Sequence, residues 1–282
     1  MALKDKNVLT ASTGFIYTGS PGLANPTPAE ITAFNPATFG CIQYELEVTA
    51  SSGNYKLKVG APGTDTADIP FDATEGAIQT TLEAHVGVGE GNVLVEAGDD
   101  DGEFVVTFVG SLQGVNPTLS VSGAGATVTL KTALNGWTMV GHTSREDLPE
   151  FGNDGGDTEV KGTWQNASLK EVQTEALSEY LTMKINQIDR TSLTLYHGES
   201  STPSVPGVFG VSGIPSYVDK SLLIVVVDGD LNLGFSAPKC SFRREDSIEL
   251  ATDEFTGIPV RATFLKLGVR DLYRWISEDL FD

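Results

Sequence analysis

The sequence predicts a mainly β protein with few helices, in which one domain carries a second, smaller α+β domain. Three observations support this prediction. The 282 residues include 31 Gly and 13 Pro, a frequency typical of many short strands joined by turns. Several short segments alternate apolar and polar residues, which is the pattern of half-buried strands. Residues 41–132 also differ in charge from the rest of the chain.

The charge balance separates residues 41–132 from their surroundings. They hold three Lys against thirteen Asp and Glu, a net charge of −10, which is half of the chain's −20 on about a third of its length. We therefore predict a discontinuous domain of residues 1–40 and 133–282, interrupted by an α+β domain of residues 41–132. Insertions are tolerated at exposed loops, so the host fold should remain intact around this one.

Alternation and capping signals predict the elements of the inserted domain. Residues 44–48 and 55–59 alternate, and the Glu and Lys side chains on their polar faces favour an antiparallel hairpin between them. Asp72 is the predicted N-cap of a helix, with Glu75 at the capping-box position. The buried stripe of that helix should contain Ile78, Leu82 and Val86. Four further strands are expected at 92–96, 103–109, 118–121 and 126–130.

The same signals predict the host domain. Strands are expected at 13–18, 159–165, 180–188, 221–228 and 258–267. Asp189 should cap a short helix that ends at Gly198. Apolar residues at helical spacing between Val269 and Leu280 predict a C-terminal amphipathic helix.

No residue pattern indicates catalysis, a cofactor or a metal. The three His are scattered without metal-ligand spacing, and no GxxxxGK[ST] or GxSxG occurs. The segment from Asp228 begins like an EF-hand loop but has Leu233 and Lys239 where Gly and Glu are required. We interpret this cluster and the acidic cluster 99–101 as hairpin turns. Cys41 and Cys240 are expected to be reduced thiols.

The composition also disfavours whole classes of protein. A net charge of −20 argues against nucleic-acid binding, because phosphate contacts need Lys and Arg. No apolar run approaches the roughly 20 residues of a membrane helix. The first residues lack the apolar segment of a signal peptide. We expect a protein that is neither an enzyme nor a membrane protein and that carries no cofactor.

Two stretches of the host domain resemble the major tail tube protein of long-tailed phages that infect actinobacteria. One is 136–165, which begins Gly-Trp-Thr-Met-Val-Gly-His-Thr-Ser-Arg. The other is the opening Ala-Leu-Lys-Asp-Lys-Asn-Val-Leu-Thr-Ala with Gly-Phe-Ile-Tyr at 14–17. The inserted domain, in Ile-Pro-Phe-Asp-Ala-Thr-Glu-Gly at 69–76 and Phe-Val-Val-Thr-Phe at 104–108, resembles a small domain that recurs in phage structural proteins.

The resemblance implies a structural virion protein with a β-sandwich or barrel-type tail tube domain. Subunits of this family form hexameric rings that stack into a hollow tube. Inner sheets of the six subunits join into one barrel, through which DNA is ejected without specific binding. The resemblance further implies tape measure, tail terminator and baseplate initiator proteins as partners, the virion tail as location and the host cytoplasm as the place of assembly. The insert should project outward, since the channel must pass DNA.

The implied assembly suggests candidate contact residues. The N-terminal arm, loop 143–157 and nearby apolar positions are candidates for contacts between subunits or rings, which we expect to include Phe15, Tyr17, Leu148, Phe151, Trp164, Trp275 and Leu280. One alternating strand is the candidate barrel wall, with Leu181, Met183, Lys184 and Ile185.

Two other functions stay open at the level of sequence. A carbohydrate- or cell-surface-binding module would use the insert as its binding element. It would need exposed aromatic side chains there, among Tyr44, Tyr55, Phe71, Phe104 and Phe108. A hydrolase would need a catalytic pair in a cleft, and no spacing among the many carboxylates selects one.

Overall fold

The chain divides into two compact units. A computed structural model describes residues 7–98, 100–113, 115–132, 136–203, 205–213, 216–250, 252 and 255–281. Unit 1 comprises Met1–Thr32 and Val140–Asp282, and unit 2 comprises Ala33–Met139. Strands dominate the described residues of both units, which confirms the mainly β prediction. That unit 2 is an outward-facing insertion stays a prediction, and its predicted boundary at 133 lies outside the described residues.

The elements follow one another in this order. Unit 1 begins with β1 (Thr13–Gly19) and α1 (Pro28–Thr32). Unit 2 contains β2 (Gln43–Val48), β3 (Asn54–Val59), β4 (Thr64–Asp65), β5 (Ile69–Pro70), α2 (Glu75–Glu83), β6 (Val93–Ala97), β7 (Glu103–Phe108), β8 (Leu119–Ser122), β9 (Ala126–Thr132) and β10 (Thr138–Met139). Unit 1 resumes with β11 (Glu150–Asp154), β12 (Thr158–Thr163), β13 (Asn166–Gln173), β14 (Ser178–Ile185), α3 (Arg190–His197), β15 (Val218–Asp228), β16 (Leu231–Arg244), β17 (Ile258–Phe264) and β18 (Arg274–Ile276).

Unit 1 is built on one antiparallel sheet. Its strands run in the order β1-β15-β16-β17-β14-β11, and β18 pairs with β16. α3 packs against β16 and β17, so one face of the sheet is covered there. The core under this helix contains Leu195, Phe242 and Val260. Burial of such apolar side chains is the main source of stability for the unit.

Unit 2 has a separate core between two small antiparallel sheets and a helix. One sheet has the order β6-β7-β2-β9, and in the other β4, β5 and β8 pair with β3. α2 packs on β6 and buries Ile78 and Leu82. Both side chains belong to a core that also contains Leu46 and Phe108.

Several local predictions are confirmed. Asp189 caps α3 through a capping box, since its carboxylate accepts from the Ser192 amide at 2.9 Å and Ser192 Oγ accepts from the Asp189 amide at 3.0 Å. β14 buries Leu181, Met183 and Ile185 in alternation. The acidic segment from Asp228 forms the turn of the β15–β16 hairpin. In the second acidic cluster Asp99 lies outside the described residues, and 100–102 lie in the turn before β7.

The predicted hairpin between the first two insert strands is wrong. β2 pairs with β7 and β9, whereas β3 pairs with β4, β5 and β8 in the other sheet. Lys56 and Lys58 form ion pairs with Asp68 and Asp65 and not with the glutamates of β2. Alternation reveals which face of a strand is buried, but it does not specify the partner strand.

The helix of unit 2 is shorter than predicted. Its N-cap is Thr74, not Asp72, and it ends at Glu83 with Ala84 as C-cap. Val86 therefore lies beyond the helix, and its side chain is 94% exposed. The i, i+4, i+8 spacing extended the predicted buried stripe one turn too far.

The predicted C-terminal helix is a short strand. Residues 274–276 pair with Gly234, Phe235 and Ser236 of β16. Val269, the first residue of the predicted apolar stripe, is fully exposed. Sheet pairing and aromatic packing of this segment outweigh a weak helical periodicity, as tertiary context commonly does.

Candidate assembly site

β12 and β13 form a two-stranded arm whose side chains are all exposed. The arm continues from the β11–β14 pair, at the edge of the unit 1 sheet. It presents Val160, Leu169 and Val172 to solvent, and Trp164 at its tip is 99% exposed. An isolated hairpin is marginally stable in water. The exposed apolar side chains of the arm are therefore those expected of a segment that a partner covers.

A glycine pair and an arginine cluster define the base of the arm. Gly155 and Gly156 have φ values of +74° and +81°, which bend the chain between β11 and β12. Arg261 then ties the end of β11 to the sheet. Its Nη1 donates to Asp154 at 2.7 Å, and its Nε donates to Glu245 at 2.6 Å.

Packing completes this cluster. The Arg261 guanidinium lies 3.6 Å from the centroid of the Tyr180 ring, within the range of cation–π attraction. The Tyr180 ring crosses so close to Gly152 that a Cβ there would lie 2.5 Å from it. Only 12% of the Arg261 side chain is exposed. The cluster thus sets the position from which the arm leaves the sheet.

Unit 1 also has an open apolar groove of about 690 Å³. Two cross-strand rows on β1, β15 and β16 form its floor. The first row is Gly14, Val226 and Leu233, and the second is Ile16, Ile224 and Phe235. Gly14 contributes no side chain, so the first row has a recess at its end. A Cβ built on Gly14 would meet only Val225 O, at 3.7 Å.

Three large side chains, each about half exposed, stand at the rim of the groove. They are Leu148 (47%), Phe151 (49%) and Trp275 (45%). Phe151 and Trp275 pack against each other and against Phe235, with ring centroids 4.8 to 5.4 Å apart. Large exposed apolar patches mark binding sites in soluble proteins.

Polar contacts hold the loop that carries Leu148. The Ser144 amide donates to Lys184 O at 2.8 Å, and the Lys184 ammonium contacts the Asp147 carboxylate at 3.0 Å. The hydrogen bond from Lys184 lowers the pKa of Asp147. On the opposite wall, the Thr10 amide donates to Asp228 at 2.7 Å. Both walls are therefore fixed to the sheet.

The structure brings together part of the predicted contact set. Leu148, Phe151 and Trp275 line one groove, and Trp164 lies at the arm tip. Phe15 is half-buried and Tyr17 is buried. Leu280 is half-buried, and its carbonyl accepts from Asn7. The roles of these residues in contacts between subunits stay predictions.

The predicted barrel-wall strand is β14. Leu181, Met183 and Ile185 point into the unit 1 core, and Lys184 lies on the other face in its ion pair with Asp147. Within loop 143–157, residues 150–154 form strand β11 and pair with β14. A place for β14 in a barrel between subunits stays a prediction.

The described residues offer little for metal or redox chemistry. Within them, no three His, Cys, Asp or Glu side chains come together so as to hold a metal ion. Cys41 and Cys240 are buried free thiols, as predicted. Burial raises the pKa of Cys41 to about 11 and also raises the pKa of Cys240, where Asp219 adds to the effect. None of the described helices is long and apolar enough to cross a membrane.

The aromatic side chains of unit 2 give little support to a carbohydrate-binding surface. Tyr44, Tyr55 and Phe108 are buried in its core, and Phe104 packs against that core. Of the five candidates only Phe71 is exposed. A sugar-binding face would need several aromatic rings exposed on one side.

Comparison with known proteins assigns the family. The profile of a family described as "Phage tail tube protein" matches residues 98–282. The chain belongs to the phage tail tube protein family. This tail tube protein is accordingly a structural component of the virion tail, as the resemblance of residues 136–165 implied.

Two relatives agree with this assignment. The tail tube protein is 46% identical over 151 residues to "Major tail protein Gp23" of Mycobacterium phage L5, which covers 54% of this chain and 75% of the relative. It is 46% identical over 150 residues to the protein of the same name from Mycobacterium phage D29, and this match covers 53% of this chain and 75% of the relative. A solved structure from Mycobacterium phage Patience is 24% identical, with a TM-score of 0.29, and the match covers 39% of this chain and about half (53%) of that one.

Sequence reasoning missed three strands that form the site, β11, β13 and β16. β11, which carries Phe151 of the groove rim, lies within the expected loop 143–157. β13, the second strand of the arm, follows directly after the predicted strand 159–165. β16, which supplies Leu233 and Phe235 of the groove floor, contains Gly234 and Pro238, and these residues obscured its alternation. Pro238 lies where the pairing of β15 with β16 shifts register, a position at which a strand tolerates proline. The alternation from Leu231 to Phe235 was the available signal.

Proposed function

We propose that this tail tube protein assembles into hexameric rings that stack into a hollow tube, through which DNA is ejected. The observation that carries this proposal is the exposed apolar surface of unit 1 in a chain of the tail tube family. The uncovered arm and the open groove both lie there. A tube made from one kind of subunit needs heterologous contacts, for which each copy carries both complementary surfaces.

The charge of the chain supports passage of DNA without specific binding. At −20 the subunit is strongly acidic, and phosphate contacts require a surplus of Lys and Arg. An acidic channel wall repels the DNA backbone, so that DNA slides through without adhering. The alternating strand β14, with Leu181, Met183 and Ile185 inward, is our candidate for the barrel wall.

We further propose that unit 2 is an insertion on the outside of the tube. The relatives support this, because 151 residues make up 75% of one of them, so that it is about 200 residues long against 282 here. The surplus of roughly 80 residues amounts to most of unit 2, Ala33–Met139, which has its own core. A separately folded unit of this size would obstruct a channel that passes DNA.

The remaining parts of the proposal follow from the family. Tape measure, tail terminator and baseplate initiator proteins are the expected partners, and assembly takes place in the host cytoplasm. The family consists of structural tail proteins, and we infer that this subunit has no enzymatic activity.

Electron microscopy of the concentrated protein tests the proposal. We expect six-fold rings or hollow tubes with knobs on the outside. A variant in which a short Gly/Ser bridge replaces residues 41–132 should give tubes of the same bore without knobs. Dispersed monomers at high concentration would contradict self-assembly. Knobs that persist in the deletion variant would contradict the placement of unit 2.

A further inference from the structure

We propose that Trp164, at the tip of one subunit's arm, inserts into the apolar groove of a neighbouring copy and covers the recess at Gly14. This inference rests on the proposed assembly into a tube and identifies the contact that holds subunits together. The occupant of the groove is thus a second copy of this chain.

Both surfaces of the proposed contact expose large apolar side chains. Trp164 is 99% exposed, although Trp is among the residues that contribute most to interfaces when buried. The groove has exposed apolar surface as well, since Leu148, Phe151 and Trp275 stand half exposed at its rim. On its floor Val226 and Leu233 are only partly buried. Its volume of about 690 Å³ lies in the ~300–1,000 Å³ range of ligand pockets. An indole ring fits, together with an adjoining part of the arm.

The shape of the groove floor also favours this contact. The row of Gly14, Val226 and Leu233 has side chains at two positions and none at the third. Val226, the cross-strand neighbour of Gly14, and Leu233 are only partly buried. A flat ring laid over Gly14 would pack beside Val226 and bury further apolar area.

Geometry places the contact between copies rather than within one chain. β12 has six residues and β13 has eight, so the arm extends roughly 20–27 Å at about 3.4 Å per residue. Phe151, at the groove rim, lies on β11 before the base of the arm. The fully exposed ring of Trp164 thus lies far from its own groove and faces outward.

Arm-to-groove contact is also the type of interface that a tube requires. Each subunit would donate one arm and accept another, so the contact is heterologous and propagates from copy to copy. A contact of identical patches would close after two subunits.

Cross-linking tests the contact directly. Full-length Gln165→Cys, which keeps Trp164 and places a thiol beside it at the exposed tip, carries one affinity tag. It is mixed with Leu148→Cys carrying another tag, allowed to assemble, and oxidised. The native thiols, buried and of raised pKa, should not compete. We expect on the order of tenfold more doubly tagged dimer than from Gln165→Cys with Val269→Cys, because a docked pair has a far higher effective concentration. Val269 is fully exposed and lies outside the groove lining.

A second pair of variants tests the recess. Gly14→Leu would fill it, and Gly76→Leu adds the same side chain at an exposed glycine of α2 with nothing within 4 Å. Both should keep the melting temperature of the wild type. We expect Gly14→Leu and Trp164→Ala each to raise the protein concentration needed for tubes by about thirtyfold, the effect of losing a central aromatic contact. Gly76→Leu should not raise it.

The outcomes separate this inference from the proposed function. If the wild type forms tubes but the cysteine variants give no selective cross-link, the arm-to-groove contact is wrong and the proposed tube stands. The same conclusion follows if Gly14→Leu and Trp164→Ala form tubes at the wild-type concentration. A wild-type protein that forms no tubes would overturn the proposed function, and the inference with it. Selective cross-linking together with the two assembly defects is the result we expect.

Discussion

The two units differ in how completely they bury their own apolar side chains. Among the described residues 21 large apolar side chains remain exposed, and only Phe71, Val86 and Val115 of these belong to unit 2. Unit 2 makes up more than a third of the chain, so the distribution is uneven. Unit 2 therefore completes its core alone, whereas unit 1 exposes apolar surface of the kind that marks interaction sites.

The largest effects should come from truncating one aromatic residue in each core. Phe242 of unit 1 and Phe108 of unit 2 are both fully buried. Each Phe→Ala change should cost about 3–5 kcal/mol of the unit that contains it. If the units fold separately, calorimetry should show the melting transition of only that unit moving down.

The Phe108→Ala and Phe242→Ala variants should also differ in whether they form tubes. Phe108→Ala should still form tubes below the melting point of unit 2, because the arm and groove lie in unit 1. Phe242→Ala should form none once unit 1 unfolds. Loss of tubes in Phe108→Ala with unit 1 intact would show that unit 2 takes part in assembly, and would break the comparison.

An intermediate effect is expected at the base of the arm. Arg261→Met removes the hydrogen bonds to Asp154 and Glu245 from a side chain that is largely buried. We expect a loss of about 1–2 kcal/mol in chemical denaturation, since hydrogen bonds to charged groups are the stronger ones. Tubes should also form less readily, because the arm loses its fixed direction.

Arg274→Met is the matched control. Arg274 pairs with Asp271 three residues away, and both side chains are more than half exposed. Surface pairs of this kind contribute little. An equal loss of stability in the two variants would show that the Arg261 cluster has no special role.

Substitution of the N-cap residue of one helix in each unit should reduce stability by about 1 kcal/mol or less. Asp189→Ala removes a side-chain bond to the Ser192 amide, and should cost unit 1 about 1 kcal/mol. Thr74 caps α2 without such a bond, so Thr74→Ala should cost a few tenths of that. Thermal denaturation of both variants measures the difference. A larger loss for Thr74→Ala would contradict the cap assignment.

The smallest effect concerns pH and the groove wall. The pKa of Asp147 is lowered by the hydrogen bond from Lys184. A carboxyl group with a lowered folded-state pKa stabilises the fold above its unfolded pKa and loses that contribution as pH falls through the folded-state value. We expect stability to decline slightly below about pH 4, with a smaller decline in Asp147→Asn. The pair is partly exposed, so high salt should weaken the effect in wild type.

The sequence predicted well those features that depend on residues close together in the chain. Asp189 and Ser192 form their capping box within one helical turn, and Asp228 to Leu231 form a tight turn, so neighbours in sequence determine both. Alternation on β14 identified its buried face for the same reason. The residue pattern at 136–165 identified the family, which the comparisons then showed.

Only the tertiary structure decided which strands pair and where the candidate site lies. The spacing of β2 and β3 suggested a hairpin, and that of 269–280 a helix, because periodicity encodes a buried face and not the element that covers it. The groove joins Gly14, Phe151, Phe235 and Trp275, which are distant in sequence. The sequence by itself thus determined the fold class, the cap of α3, the turn of the β15–β16 hairpin and the family. The groove follows from long-range pairing and packing, which no local pattern encodes.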